Sequence, residues 1–480
     1  MRSYKSIIIA LGFVAGIMGS GCKNYLDIPL PVDRISNQSA FTNDKSCAAT
    51  LNGIFGTLSG GSLFDGQGIG YKGGLYTDEL TNYSVSELNT SIYSSVVAPG
   101  QVSDLWTTFY AQIYRVNAAL EGIAASKSVL NHRAQWMGEA YFLRALLHLY
   151  LAGIYGDVPV VVTSDYAKNN VLPRSPLADV YKQVIDDLLQ AEKLLPESYA
   201  DVNGNITPDR GRPNRGAATA LLARVYLYTR QYQLAADKAS DVISQNTLYS
   251  LAPLANTFTV AGNKETIAAL APLATNTLSP YVKDRYIYLS AITSPEIPAG
   301  NTISSYGVNG VLSQSLVKSF ETGDQRFTQW TYGIYQVKNG DTSRYYIPNK
   351  YKSKTTNDEY VVLIRLAEVY LVRAEALAQL GNTGAAARDL DAIRLRAGLK
   401  ETTANTKETL MTAIVQERRT EFFTEEAHRL MDLRRLGLLD EVMTKEVKVK
   451  NGTWQSFQQY WPISPTEIQA NPNLKQTLGY

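Results

Sequence analysis

The sequence predicts a mostly α fold: helix pairs forming a scaffold, long irregular insertions between them, and little β structure. Three observations predict it. Apolar residues recur at spacings of three and four in successive segments, as they do along one face of a helix. Two segments, 214–245 and 361–395, place small and aromatic residues where neighbouring helices would pack closely. Residues 56–101 and 276–351 break both patterns and are rich in Gly and small polar residues.

The elements follow in chain order. Arg2 and Lys5 precede an apolar run from Ile7 to Met18, too short to cross a hydrocarbon core of about 30 Å as a helix. Its length and basic flank are those of a secretory leader, and the small residues Gly19, Ser20 and Gly21 lead directly to Cys22. A leader ending in small residues before cysteine resembles a bacterial lipoprotein signal. Residues 1–21 are therefore expected to be removed and Cys22 acylated. Gly19 departs from the aliphatic residue usual three places before such a cysteine, and ordinary secretion is the alternative.

Cys47 is then left without a cysteine partner and reads as a small core residue on a helix. From Ser103, a candidate N-cap, Leu105, Phe109, Ile113, Val116 and Leu120 mark one helical face. Residues 133–153 form a second helix, stopped by Gly156 and Pro159, and Ser175 with Pro176 opens a third. In 214–245, Ala223, Tyr226, Tyr232, Ala235 and Ala239 stand at the spacings of a tetratricopeptide repeat, as do Tyr370, Ala374, Leu377, Gly381 and Ala386. The pairs at 214–245 and 361–395 should be antiparallel hairpins packed through Ala223, Ala235, Ala374 and Ala386. Between them, residues 276–351 hold nine of the 31 tyrosines. Long irregular segments in compact proteins tend to carry function, so a site is expected there and in 56–101.

Composition narrows the chemistry. Without residues 1–21 the chain carries 44 basic against 44 acidic residues, which gives no electrostatic reason to bind nucleic acid. "GIGYKG" at 68–73 satisfies G-x-G-x-x-G but lacks the preceding strand and following helix of a dinucleotide site; it reads as a mobile or tightly turned loop. His132, His148 and His428 do not stand at metal-ligand spacing, and no H-E-x-x-H or G-x-S-x-G occurs. No cofactor is implied. Asp78 and Glu79 are the carboxylates best placed for glycosidase chemistry, but adjacent side chains diverge. One of them accepting a ligand hydroxyl is the functional reading, and a local turn or cap contact is the other. Glu417, Glu421 and Glu425, interleaved with Arg418, Arg419 and Arg429, read as an ion-pair network between helices.

Several stretches in order resemble the SusD/RagB family of Bacteroidetes surface lipoproteins. They are "CKNYLDIPL" (22–30), "EAYFLRALLHLYLAGIYGDVPVV" (139–161), "KSFETGDQRF" (318–327) and "NKYKS" (349–353). The later ones are "IRLAEVYLVRAEALAQLG" (364–381), "LDAIRLRAGL" (390–399), "ERRTEFFTEEAHRLMDLRRLG" (417–437) and "YWPISPTEIQANPNLKQTLGY" (460–480). The resemblance implies an N-terminal region to residue 230 and a C-terminal region from 231, joined in one unit. It implies non-catalytic binding of a nutrient, an oligosaccharide first and a peptide as the alternative, at an outward-facing outer-membrane position. It also implies a partner, a TonB-dependent transporter of the SusC/RagA type. A secreted glycosidase or a structural tetratricopeptide adaptor are the readings from other classes. Because aromatic rings stack on the C–H face of a sugar, the candidate ligand residues are Tyr76, Asp78, Tyr83, Tyr286, Trp330 and Tyr332.

Overall fold

Helix Arg133–Tyr155 is apolar on nearly every side and buried along almost its whole length, so it must be wrapped by neighbours. Helix Ser103–Ala125 covers one side and helix Leu177–Leu194 another. Gly138 lets the second chain segment come close: a Cβ there would stand 2.8 Å from the side chain of Leu195. Gly156 ends the central helix at φ +74°, its N–H donating to the Ala152 carbonyl. The structure, a computed structural model, describes residues 40–60, 63–260, 262–272, 282–289, 292–353 and 358–480. Cys22 and the leader lie outside the described residues.

The layer continues without a break. Helix Arg215–Tyr228 packs on Leu177–Leu194, turns at Arg230 and pairs with helix Tyr232–Ile243. That helix packs on Leu366–Gln379, which pairs in turn with Thr383–Arg396, and Lys407–Glu421 follows. Ala223, Ala235, Ala374 and Ala386 are all fully buried, as the repeat spacing predicts. Small side chains there let the helix axes approach, and aromatic rings fill the wedges. Cys47 lies buried on helix Asp44–Gly60, and burial raises its thiol pKa.

Local departures have local causes. Ser103 is the first helical residue of its helix and Val102 takes the cap position without a side-chain bond. The glycine run 68–73 is helix, Ile69–Tyr76, not a loop. Its glycines serve close packing: a Cβ on Gly70 would lie 2.5 Å from the Thr424 carbonyl oxygen, and one on Gly73 2.5 Å from Ala427 Cβ. The second irregular region contains a regular hairpin, Thr331–Lys338 paired antiparallel with Asp341–Pro348. Asn339 and Gly340 form its turn at φ +53° and +87°, the left-handed conformations that an Asn-Gly pair adopts readily. Two other antiparallel pairs occur among the described residues, Leu80–Asn82 with Gly310–Leu312 and Thr266–Leu270 with Val361–Arg365.

Candidate ligand-binding surface

Three of the six residues singled out in sequence are core residues. Tyr76 is fully buried, its hydroxyl donates to the Gln458 carbonyl at 2.6 Å, and its ring meets Trp454 and Trp461 edge-on. Trp330 is fully buried and its indole N–H donates to the Leu254 carbonyl at 2.9 Å. Asp78 is 2% exposed. Arg429 grips it with two bonds of 2.8 and 2.7 Å, and Arg419 adds a third contact at 2.8 Å. Burial alone would raise its pKa, but the two guanidiniums outweigh that and hold it at about 2. None of the three can meet a ligand in this structure, so they are corrected to structural roles.

Glu79, beside Asp78, is equally buried. Its Oε2 accepts the Thr424 N–H, and burial with the Asp78 charge pushes its pKa up to about 8. The two carboxylates are thus committed to holding residues 424–429 against residues 78–79. The C-terminal stripe behaves as the network its spacing predicts. Glu421 lies among Arg326, Arg365 and Arg396, and Glu425 bonds Arg365 and Lys350. His148 is also a core group: its ring bonds the Arg144 carbonyl and the Val161 N–H, and burial pulls its pKa down to about 4.

The other three candidates lie at the surface. Asn309 organises two of them. Its carbonyl accepts the Tyr83 N–H at 2.9 Å, and its side-chain amide donates to the Ile287 carbonyl at 3.1 Å. Tyr83 is thereby set beside helix Lys283–Leu289, on which Tyr286 is 54% exposed. The Tyr83 ring meets Tyr345 of the hairpin edge-on, with centroids 6.0 Å apart. Tyr332 pairs across the hairpin with Ile347, one step diagonal from Tyr345, so both tyrosines share a face. Tyr83, Tyr332 and Tyr345 are half-buried: each packs against the core, where Ile334 and Ile347 of the same hairpin face are fully buried, and each remains partly exposed. Rings held by backbone pairing on one side cost little entropy to use as a binding platform. Tyr345 belongs to this surface and was not singled out in sequence; the Asn-Gly turn signal, which sets the register across from Ile334, was the clue to it.

A second aromatic concavity, of about 240 Å³, has Trp106, Tyr110 and Tyr114 on one wall and Tyr166 with Asn169 on another. Tyr114 and Tyr166 are exposed, while the Trp106 and Tyr110 rings pack at a tilt with centroids 4.9 Å apart. Sequence spacing around Ser103 marks only the buried face of that helix, so it passes over Tyr114. Among the described residues no group of three potential metal ligands occurs, and no helix is long and apolar enough to cross a membrane.

Known proteins match the chain throughout. A model of the SusD family matches residues 299–480, and one described as starch-binding, associating with the outer membrane, matches residues 71–227. SusD-like protein P2 of Formosa agariphila is 24% identical, covering 99% of each chain. A SusD superfamily protein of Bacteroides vulgatus shares the fold at TM-score 0.75 and 22% identity, over 92% of this chain and all of the other. A laminarin-binding SusD-like protein does so at TM-score 0.75 and 23% identity, again over 92% and 100%. With SusD-type family models matching residues 71–227 and 299–480 and relatives aligned along nearly the whole length, this chain belongs to the SusD/RagB family.

Proposed function

We propose that the protein captures an oligosaccharide on the surface formed by Tyr83, Tyr286, Tyr332 and Tyr345, holds it without cleaving it, and passes it to a TonB-dependent outer-membrane transporter. Cys22 would carry the lipid that keeps it at the outer membrane, facing outward. The observation that carries this reading is that Asn309 ties the Tyr83 backbone to the helix bearing the exposed Tyr286, while the Tyr83 ring meets Tyr345. Ring faces take the C–H side of a pyranose, and nearby polar groups take its hydroxyls. The structural likeness to a laminarin-binding protein supports a glycan as the ligand. Capture fits better than turnover because Asp78 and Glu79 are buried against Arg429 and Thr424.

The test is titration of the purified protein with laminarin oligosaccharides and with mixed peptides, scoring binding and cleavage separately. Glycan binding that Tyr83→Ala and Tyr286→Ala each weaken about tenfold, without cleavage, is the expected result. Peptide binding at the same residues would replace the glycan with a peptide, and released sugar would overturn the non-catalytic role. Co-purification of a transporter from detergent-solubilised outer membranes tests the partner.

A further inference from the structure

A cavity of about 270 Å³ opens inside the helical layer, between helices Arg133–Tyr155, Leu177–Leu194, Arg215–Tyr228 and His428–Arg435. Its wall carries three arginines, Arg230, Arg434 and Arg435, and three tyrosines, Tyr181, Tyr228 and Tyr460, with no carboxylate among the lining residues. By contrast, the buried Arg224, Arg326, Arg365, Arg418 and Arg429 are each paired with an acid.

The three cations differ. Arg435 is neutralised, bonded to both carboxylate oxygens of Glu375 and to Asp432. Arg434 is not. Its two terminal nitrogens donate to the carbonyls of Gly153 and Gln459, its Nε is buried without a hydrogen-bond partner, and its plane lies over the Tyr460 ring, 4.3 Å from the centroid. Backbone carbonyls orient a guanidinium but leave its net charge uncompensated. Burial pulls its pKa below the usual arginine value, with only the hydroxyls of Tyr460, Tyr181 and Tyr76 acting in the other direction. Arg230 sits at the mouth, exposed, on the turn between two paired helices, and makes no ion pair among the described residues. A desolvated cation without an anion is costly, and an anion entering the cavity would remove that cost.

We infer that this cavity is a binding site for a small anion, with Arg434 and Arg230 supplying the charge and Tyr181 and Tyr460 the walls for an attached ring. The volume lies just under the ~300–1,000 Å³ of ordinary ligand pockets, which suits one acidic sugar unit better than a chain. The site uses none of the residues of the tyrosine surface, so it stands whatever that surface binds. A carboxylate on a sugar ring and a free inorganic oxyanion share the required chemistry.

The experiment is calorimetric titration of the purified full-length protein at constant ionic strength with glucuronate, sulfate and, as the neutral control, glucose. Glucuronate is expected to bind and glucose not to. Arg230→Gln should weaken glucuronate about tenfold, as should Arg434→Gln, whereas Arg434→Lys should retain part of the affinity. Since Arg434 also braces two carbonyls, Arg230→Gln is the variant that stays informative if Arg434→Gln fails to fold. Tighter binding of glucuronate than of sulfate, lost in Tyr181→Ala, assigns the site to an acidic sugar. Equal binding of the two assigns it to the free oxyanion. Absence of binding by either anion, equal binding of glucose, or wild-type affinity in Arg230→Gln overturns the proposal.

Discussion

Asp65 and Asp284 cap each other's segments. Asp65 Oδ1 accepts the backbone N–H groups of Lys283 and Asp284 at 2.7 and 3.2 Å, and Asp284 Oδ1 accepts the Gly66 N–H at 2.7 Å. The pair fastens helix Lys283–Leu289, the carrier of Tyr286, to the turn before helix Ile69–Tyr76. Burial raises both carboxyl pKa values, that of Asp65 to about 7, and the Asp65 charge raises Asp284 further. Lys283 opposes the rise at Asp65 and Lys350 at Asp284, while Glu425 adds to it at Asp284.

The fastening should therefore depend on pH. Folding raises the Asp65 pKa from 3.8, so this contribution to stability is complete below about pH 4 and is lost as pH rises through about 7. Amide exchange in residues 283–289, corrected for intrinsic rate, should be faster at pH 8.5 than at pH 6. Asp65→Asn keeps an acceptor oxygen without the charge and should flatten that difference. An unchanged profile in this variant would assign the effect elsewhere.

Glu421 should be among the costliest buried groups to neutralise. It faces Arg326, Arg365 and Arg396, and Glu421→Gln would leave their charge poorly compensated. A loss of about 3–5 kcal/mol is expected in denaturant unfolding. A loss under about 1 kcal/mol would mean that the remaining acids Glu265, Glu417 and Glu425 rearrange to cover the gap.

Ala235→Leu tests the close approach of helices Arg215–Tyr228 and Tyr232–Ile243. Ala235 is fully buried, and added volume there should cost about 1–3 kcal/mol. A neutral result would show slack between the helices that the packing does not contain.

Tyr286 and Trp330 separate binding from stability. Tyr286→Ala should weaken ligand binding with little change in melting temperature, because the ring is half in solvent. Trp330→Ala should destabilise by about 3–5 kcal/mol through the cavity it leaves and the lost bond to the Leu254 carbonyl. Equal thermal shifts from the two would contradict their different surroundings.

Cys22→Ser should release the protein from membranes or leave its leader uncut. Full membrane recovery of this variant in fractionation would place the anchor at another position.

The helices were legible because burial imposes a period on sequence, and Ala223, Ala235, Ala374 and Ala386 stand where close helix approach requires a small residue. The hairpin was missed: Asn339-Gly340 signals its turn, but its tyrosine-rich flanks resemble loop composition, and residues 276–351 read as irregular. Which rings face outward was not legible. Tyr76 and Tyr286 are chemically identical, and only contacts from distant segments decide that one meets Trp461 and the other solvent. Asp78 misled for the same reason. Its partner Arg429 lies 351 positions away, and no local pattern announces the pair.

That separation has a consequence for how the chain matures. Residues 65–82 rest on Thr424, Ala427 and Arg429, and strand Leu80–Asn82 finds its mate only at Gly310–Leu312. The early part of the polypeptide cannot reach its final arrangement until nearly all of the later part has emerged. Contacts of such long span are slow to form and leave apolar surface uncovered meanwhile. A nascent molecule interrupted before residue 424 would therefore present helix Ile69–Tyr76 without its seat. Completion, rather than growth from the first residue onward, is what makes this surface.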